Sequence, residues 1–139
     1  MEGRARTPLM TILVDHNMKG QAVLLWGTLA AAGWFDLLPL RLVTFADVDL
    51  PVNSDDRTVW RFAQTRHLLL LTGNRSMTGP DSLEQTIREE NTATSLPVIT
   101  VGSVGRLDAR EYRERCARRL IEITIDLDNY LGTGRLFIP

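Results

Sequence analysis

The length, composition and charge of the chain exclude several classes of protein. Its 139 residues are enough for one domain with a buried core, and 44% hydrophobic with 24% charged residues is typical of a folded globular protein rather than a disordered or fibrous one. A net charge of -1 neither requires nor excludes a polyanionic partner.

Cysteine content and hydropathy indicate the cellular compartment in which we expect the protein. A single cysteine, Cys116, excludes an intrachain disulfide and a zinc cluster built on cysteines. No segment has the apolar core of a signal peptide or the length of a transmembrane helix. We therefore expect a cytoplasmic protein that makes no membrane contact, with residues 1–9 as a flexible N-terminal tail and residues 10–139 as a single domain.

The first half of the chain alternates between predicted strands and helices. The β-branched run Thr11–Val14 predicts a buried strand, and the segment Gly20–Ala32 predicts a helix that is apolar nearly all round and therefore buried or covered by a partner. A second strand is predicted at Arg41–Phe45. Ser54, Asp55 and Asp56 supply the cap and the first turn of the next helix.

The second half continues the alternation. Strands are predicted at His67–Thr72, Pro97–Val101 and Arg135–Ile138. Between them, Ser82 and Gln85 have the spacing of a capping box, and Asp108 with Glu111 predicts a second box at the start of the longest helix. The order βαβαβαβαβ predicts an α/β fold with three α/β/α layers and a mainly parallel sheet.

Polar side chains collect along one predicted edge of this sheet, where the strands end and the following helices begin. The acids and the amide on this rim are Asp15, Asp47, Asp49, Asp55, Asp56, Asn74, Asp81 and Asp108, and the cations in its loops are Lys19, Arg75 and Arg106. Asp15 directly follows a buried strand, so its carboxylate must find a compensating partner. Mg²⁺ binds carboxylates together with waters and substrate phosphates, and the three cations are predicted to bind phosphate. The rim therefore predicts metal-dependent phosphoryl transfer, with an acidic rim that only caps helices as the alternative.

Other chemical motifs are missing from the sequence. It has no P-loop, no G-x-G-x-x-G and no G-x-S-x-G. His16 and His67 are far apart, and neither belongs to a set of residues with zinc spacing. Cys116 lies on the apolar side of a predicted helix, which favours a core residue over a nucleophile.

Three short segments carry a resemblance to a known superfamily. They are LVDHN at 13–17, DRTVWRFA at 56–63 and LLLLTGN at 68–74. Together they resemble the PIN-like superfamily, in particular the compact branch related to the Mut7-C and toxin-type PIN-like proteins, over about residues 11–103. The resemblance implies a three-layer α/β/α fold and, for active members, cleavage of RNA that depends on Mg²⁺ or Mn²⁺. Some members are toxins of toxin–antitoxin pairs, which implies an antitoxin-like protein partner.

The resemblance assigns roles to individual residues. Asp15 matches the acid after the first strand, and Asp56 matches the acid of the helix. After the third strand the family has T-x-D-x-D, whereas this chain has TGNRS at 72–76. Asn74 can offer a carbonyl oxygen without charge, and Asp81 can substitute as a ligand. We thus expect Asp15, Asp56, Asn74 and Asp81 to form the catalytic site, with the three aspartates on the metal. The alternative is a degenerate module that binds a protein or a nucleic acid without cutting it.

Large aromatic side chains mark a predicted contact surface. Trp26 lies in the first predicted helix, and Trp34 and Phe35 follow it in a loop. Together with the apolar helix they provide more hydrophobic surface than one sheet face can cover. We therefore expect a homodimer that forms through this region, and the alternative is that all of these side chains pack inside their own chain.

Overall fold

A computed structural model describes residues 10–74 and 79–139. In these residues, five parallel strands form the centre of the fold. They are β1 (Met10–Val14), β2 (Leu40–Val43), β3 (Leu69–Thr72), β4 (Val98–Val101) and β5 (Arg135–Ile138). Their order across the sheet is β2-β1-β3-β4-β5, and every neighbouring pair is parallel. The tail predicted for residues 1–9 lies outside the described residues.

The order of the strands creates a switch point between β1 and β3. From β1 the chain crosses to β2 on one side, and it then returns to β3 on the other side of β1. Val14 is in register with Leu71, and the Asp15 amide donates to the Leu71 carbonyl at 2.9 Å. The residues that follow β1 and β3 are therefore neighbours. Crevices at such switch points are the usual ligand sites of open α/β sheets.

In the part of the chain that the structure describes, five helices cover the two faces of the sheet. They are α1 (Lys19–Ala31), α2 (Trp34–Leu37), α3 (Asp56–Arg66), α4 (Leu83–Glu90) and α5 (Arg110–Ile125). Alternate strand residues face opposite sides, so that Ile12 packs in one core with α1 and α5, while Leu13 packs in a second core with α3 and Leu83 of α4. The predicted three-layer α/β/α architecture is confirmed.

Two of the predicted helix starts are confirmed. The Asp55 carboxylate accepts from the Thr58 amide at 2.8 Å, and Asp56 is the first residue of α3. Ser82 accepts from the Gln85 amide at 3.1 Å at the start of α4. In both cases a side-chain oxygen satisfies an amide that the first helical turn leaves without a partner.

Three local predictions were wrong. Trp34 and Phe35 do not lie in a loop, because they begin the short helix α2 after the left-handed Gly33. Asp108 caps no helix, because it ends a short 3-10 turn and α5 begins at Arg110 after the uncapped Ala109. His67 does not start a strand. It ends α3 in the left-handed conformation, with φ of 58°, and its amide donates to the Gln64 carbonyl. This turn lets the next residue leave the helix toward β3.

Helix α1 has a buried side and an exposed side. Ala22, Leu25 and Leu29 are buried, whereas Val23 is 65% exposed. Leu24, also exposed, lines with Val23 a groove of about 640 Å³ between α1 and α5. Because the helix has no polar face, its solvent side stays apolar.

The aromatic side chains near α1 are largely covered by their own chain. Trp26, Trp34 and Phe35 are half-buried and pack against the core under α1 and α5. The homodimer stays a prediction, and Val23, Leu24 and Leu37 are the exposed apolar side chains of this region on which it depends. Within the described ranges, no helix is long and apolar enough to cross a membrane.

Candidate functional site

A cavity of about 530 Å³ opens at the carboxyl ends of β1 and β3. Three of the four predicted catalytic residues line it: Asp15 after β1, Asp56 at the start of α3 and Asn74 after β3. Its apolar wall includes Phe45, Val59, Leu70 and Leu83. The switch point of the sheet thus places two carboxylates and an amide beside a hydrophobic surface.

Asp15 is held by neutral partners. Its Oδ2 accepts from the Thr72 hydroxyl at 2.7 Å, and its Oδ1 accepts from the Asn17 amide at 3.2 Å. The second bond caps the 3-10 turn His16–Met18, which follows β1. None of the described residues forms an ion pair with Asp15. The partners of its two oxygens are therefore an uncharged hydroxyl and a backbone amide.

Thr72 joins the ends of β1 and β3 and was missed as a site residue. Its side chain is buried, with 1% of the residue exposed. The hydroxyl donates its only proton to Asp15 and accepts from the Asn74 amide at 2.9 Å. The parallel pairing of Val14 with Leu71 places Thr72 beside Asp15, and this register was the signal that could have identified it.

Asp56 connects two helices. As the first residue of α3 it lies where the helix dipole favours a carboxylate. Its Oδ2 accepts from the Leu83 amide at 3.1 Å, which is an amide of the first turn of α4. Its Oδ1 has no hydrogen-bond partner among the described residues. One oxygen of Asp56 is thus anchored while the other is available to a ligand.

Asn74 is positioned through its backbone. Its amide donates to Thr72, and its carbonyl accepts from Arg135 Nη1 at 2.8 Å. The same Arg135 atom donates to the Thr100 hydroxyl at 2.7 Å, and only 11% of the Arg135 side chain is exposed. The preceding Gly73 passes so close to Val104 that a Cβ would clash with its methyl group. Gly73 and Asn74 are therefore held beside the cavity by contacts with Thr72, Arg135 and Val104.

The structure does not bring Asp81 to the cavity. Its Oδ1 accepts from Arg57 Nε at 3.0 Å, in an ion pair between α3 and the segment before α4. The Asp81 side chain is 57% exposed, so this ion pair lies at the surface, away from the cavity lining. Asp81 therefore stands apart from the other three predicted catalytic residues.

The predicted phosphate-binding cations are not gathered at the cavity either. Lys19 is exposed at the start of α1, and the Arg106 guanidinium lies 4.5 Å from the centre of the Tyr112 ring. Neither lines the cavity, and Arg75 lies outside the described residues. Of the described lining residues, His16 is the one that can carry a positive charge; its ring packs 6.1 Å from that of Phe45.

Cys116 belongs to the core, as predicted. Cys116 lies in α5, and its side chain is completely buried in the core between this helix, α1 and the sheet. Burial raises the pKa of its thiol to about 11. The thiol is therefore protonated near neutral pH and is a poor nucleophile.

Two carboxylates form a small donor set for a metal. In the part of the chain that the structure describes, no three His, Cys, Asp or Glu side chains form a group that could hold an ion. Asp15 and Asp56 with the Asn74 amide still supply oxygen donors only, which suits Mg²⁺ and Mn²⁺ rather than zinc.

No family model, curated protein or solved structure matches the chain.

Proposed function

We propose that this protein is a metal-dependent ribonuclease of the PIN-like type. Asp15 and Asp56 would hold Mg²⁺ or Mn²⁺, with the Asn74 side-chain carbonyl as a neutral ligand. The observation that carries the proposal is that these three residues come from three separate elements and line one cavity at the switch point of the sheet. Asp81 is left out of the ligand set because Arg57 binds its carboxylate.

The donor set fits an ion that keeps part of its water shell. Mg²⁺ is commonly bound by one or two carboxylates, several waters and the phosphates of a substrate. When bound, the ion supplies a more acidic water and neutralises charge on the phosphate. RNA as the substrate follows from the resemblance of the three sequence segments to the PIN-like superfamily.

The residues of the chain would orient the reacting groups. Thr72 fixes the Asp15 carboxylate by its hydroxyl, and the Leu83 amide fixes that of Asp56. No arginine or lysine of the described residues lines the cavity. The two negative charges therefore repel a phosphate until a cation is present, and we expect the metal and the RNA to bind cooperatively.

The resemblance to toxin-type proteins extends the proposal to the cellular setting. The chain would act in the cytoplasm as the toxin of a toxin–antitoxin pair, with an antitoxin-like protein and a second copy of the chain as partners. The exposed apolar side of α1 is the surface that we assign to the second copy.

Cleavage of a fluorescent single-stranded RNA under single-turnover conditions tests this function. We expect cleavage with Mn²⁺ that stops in EDTA, and a loss of about 100-fold or more in Asp15→Asn and in Asp56→Asn. Asp108→Asn is the matched control, since Asp108 is an exposed acid outside the cavity. Equal cleavage by all four proteins would assign the activity to a contaminant and overturn the proposal.

A catalytically degenerate module that binds a protein or a nucleic acid is the second candidate. It is favoured by the neutral Asn74 and by the pairing of Asp81 with Arg57, which together leave two carboxylates on the cavity. Such a module would bind single-stranded RNA or a protein without cleaving RNA at any Mn²⁺ concentration. The RNA-cleavage experiment separates the two candidates directly.

A further inference from the structure

Arg57 is the centre of an ionic cluster between α3 and α4. Its guanidinium donates to the Pro80 carbonyl at 2.6 Å, to Asp81 Oδ1 at 3.0 Å, to Glu89 Oε1 at 2.7 Å and to the Glu90 carboxylate. Only 14% of this charged side chain is exposed. One side chain therefore bonds both the segment before α4 and the last residues of that helix.

The apolar contact between α3 and α4 is small. Helix α4 has eight residues, LEQTIREE, and its apolar side chains are Leu83 and Ile87. Two apolar side chains give a small hydrophobic contact, which orients a short helix weakly. Arg61 strengthens the ionic contact by donating to both oxygens of Glu90, at 2.8 and 2.7 Å.

The orientation of α4 matters for the cavity because of one hydrogen bond. The Leu83 amide at the start of α4 donates to Asp56 Oδ2, and this is the bond that anchors the Asp56 carboxylate. Asp56 and Arg57 are consecutive, so that the first turn of α3 contributes one residue to the cavity and the next to the ionic cluster. A shift of α4 on α3 would move the Leu83 amide away from Asp56.

We propose that Arg57 is a positioning residue, which holds α4 on α3 so that the Leu83 amide fixes the Asp56 carboxylate at the cavity. Its consequence for metal binding rests on the proposed function, whereas its consequence for the Leu83 bond does not. Four partners in different directions need the planar fork of a guanidinium, since the single ammonium group of a lysine cannot reach all of them.

Amide hydrogen exchange at Leu83 tests the positioning role without metal. In Arg57→Gln we expect exchange at Leu83 to become about tenfold faster. We expect the same change in Asp56→Ala, which removes the acceptor, and no further increase in the double variant. Arg57→Lys keeps the charge and serves as the second variant if Arg57→Gln does not fold. We expect its exchange rate at Leu83 to lie between those of the wild type and Arg57→Gln. The matched control is Arg88→Gln, because Arg88 is an exposed arginine of α4 that pairs with Glu84 at 3.8 Å.

Mn²⁺ titration of the same proteins supplies the functional readout. We expect the affinity to fall about tenfold in Arg57→Gln and to be unchanged in Arg88→Gln. Wild-type exchange at Leu83 in both folded Arg57 variants would overturn the positioning role. If Leu83 responds as expected but the wild type binds no Mn²⁺, the positioning role stands and the ribonuclease proposal fails.

Discussion

At the scale of single residues, the Thr72 hydroxyl links the segment after β1, which carries Asp15, to the segment after β3, which carries Asn74. It donates to Asp15 at 2.7 Å and accepts from the Asn74 amide at 2.9 Å. Thr72 is 1% exposed, so its hydroxyl is shielded from bulk solvent. Asp15 and the turn that carries Asn74 are therefore positioned by the same oxygen atom.

Replacing this hydroxyl tests its role. Thr72→Val keeps the shape of the side chain and removes both bonds, and a hydrogen bond to a charged group is worth about 1.5–3 kcal/mol. We expect Mn²⁺ affinity and RNA cleavage to fall by about tenfold or more in Thr72→Val, and Thr72→Ser to restore most of the loss. Titration calorimetry on folded protein measures the affinity. Equal affinity in the valine and serine variants would show that the hydroxyl does not position Asp15.

At the scale of secondary-structure elements, the ionic cluster between α3 and α4 makes the fold sensitive to acid. Hydrogen bonds from Arg61 and Arg57 hold the pKa of Glu90 at about 2, and bonds from Gln85 and Arg57 lower the pKa of Glu89. A carboxyl group whose folded pKa is depressed stabilises the fold above its unfolded pKa. This stabilisation is lost as the pH falls from about 4.5 toward about 2.

We therefore expect the urea midpoint of the wild type to fall over this acid range by more than that of Glu90→Gln. The pKa of Asp55 is lowered by hydrogen bonds from Thr58, so Asp55 also contributes stability that is lost in acid. This contribution is the same in both proteins and cancels in the comparison. The two proteins should converge at the acid end, where Glu90 of the wild type is protonated. Parallel urea midpoints at all pH values would show that the arginines give Glu90 no net stabilisation in the folded state.

At the scale of the whole molecule, the fold was predictable because its signals are local. The run ending at Val14 and the leucines before Thr72 mark buried strands by composition alone, and Asp55 and Ser82 cap helices through amides three residues away. The failed prediction at Asp108 also has a local reason. Arg113 donates to the carbonyls of Leu107 and Asp108, which stabilises the 3-10 turn before α5 instead of a cap.

The candidate site was predictable only in part, because its partners are distant in sequence. Asp15, Asp56 and Asn74 follow from the rule that strand ends share one edge of a parallel sheet. The Asp81 carboxylate pairs with Arg57, which is 24 residues away, and no local spacing in the sequence reveals that ion pair. The role of Thr72 depends on the register between β1 and β3, which requires knowing that those strands are adjacent.

The proposed binding of one cation by Asp15, Asp56 and Asn74 is tested most directly by Asn74→Asp. A negative ligand in place of the amide should tighten Mn²⁺ binding, and cleavage of single-stranded RNA should rise by about 10²–10³-fold. Adding Asp15→Asn to Asn74→Asp should abolish both gains. A calorimetric titration paired with a cleavage assay measures both gains in Asn74→Asp and their loss in the double variant. If neither the wild type nor Asn74→Asp binds Mn²⁺ or cuts RNA, the cavity is not a metal site and the ribonuclease proposal is wrong.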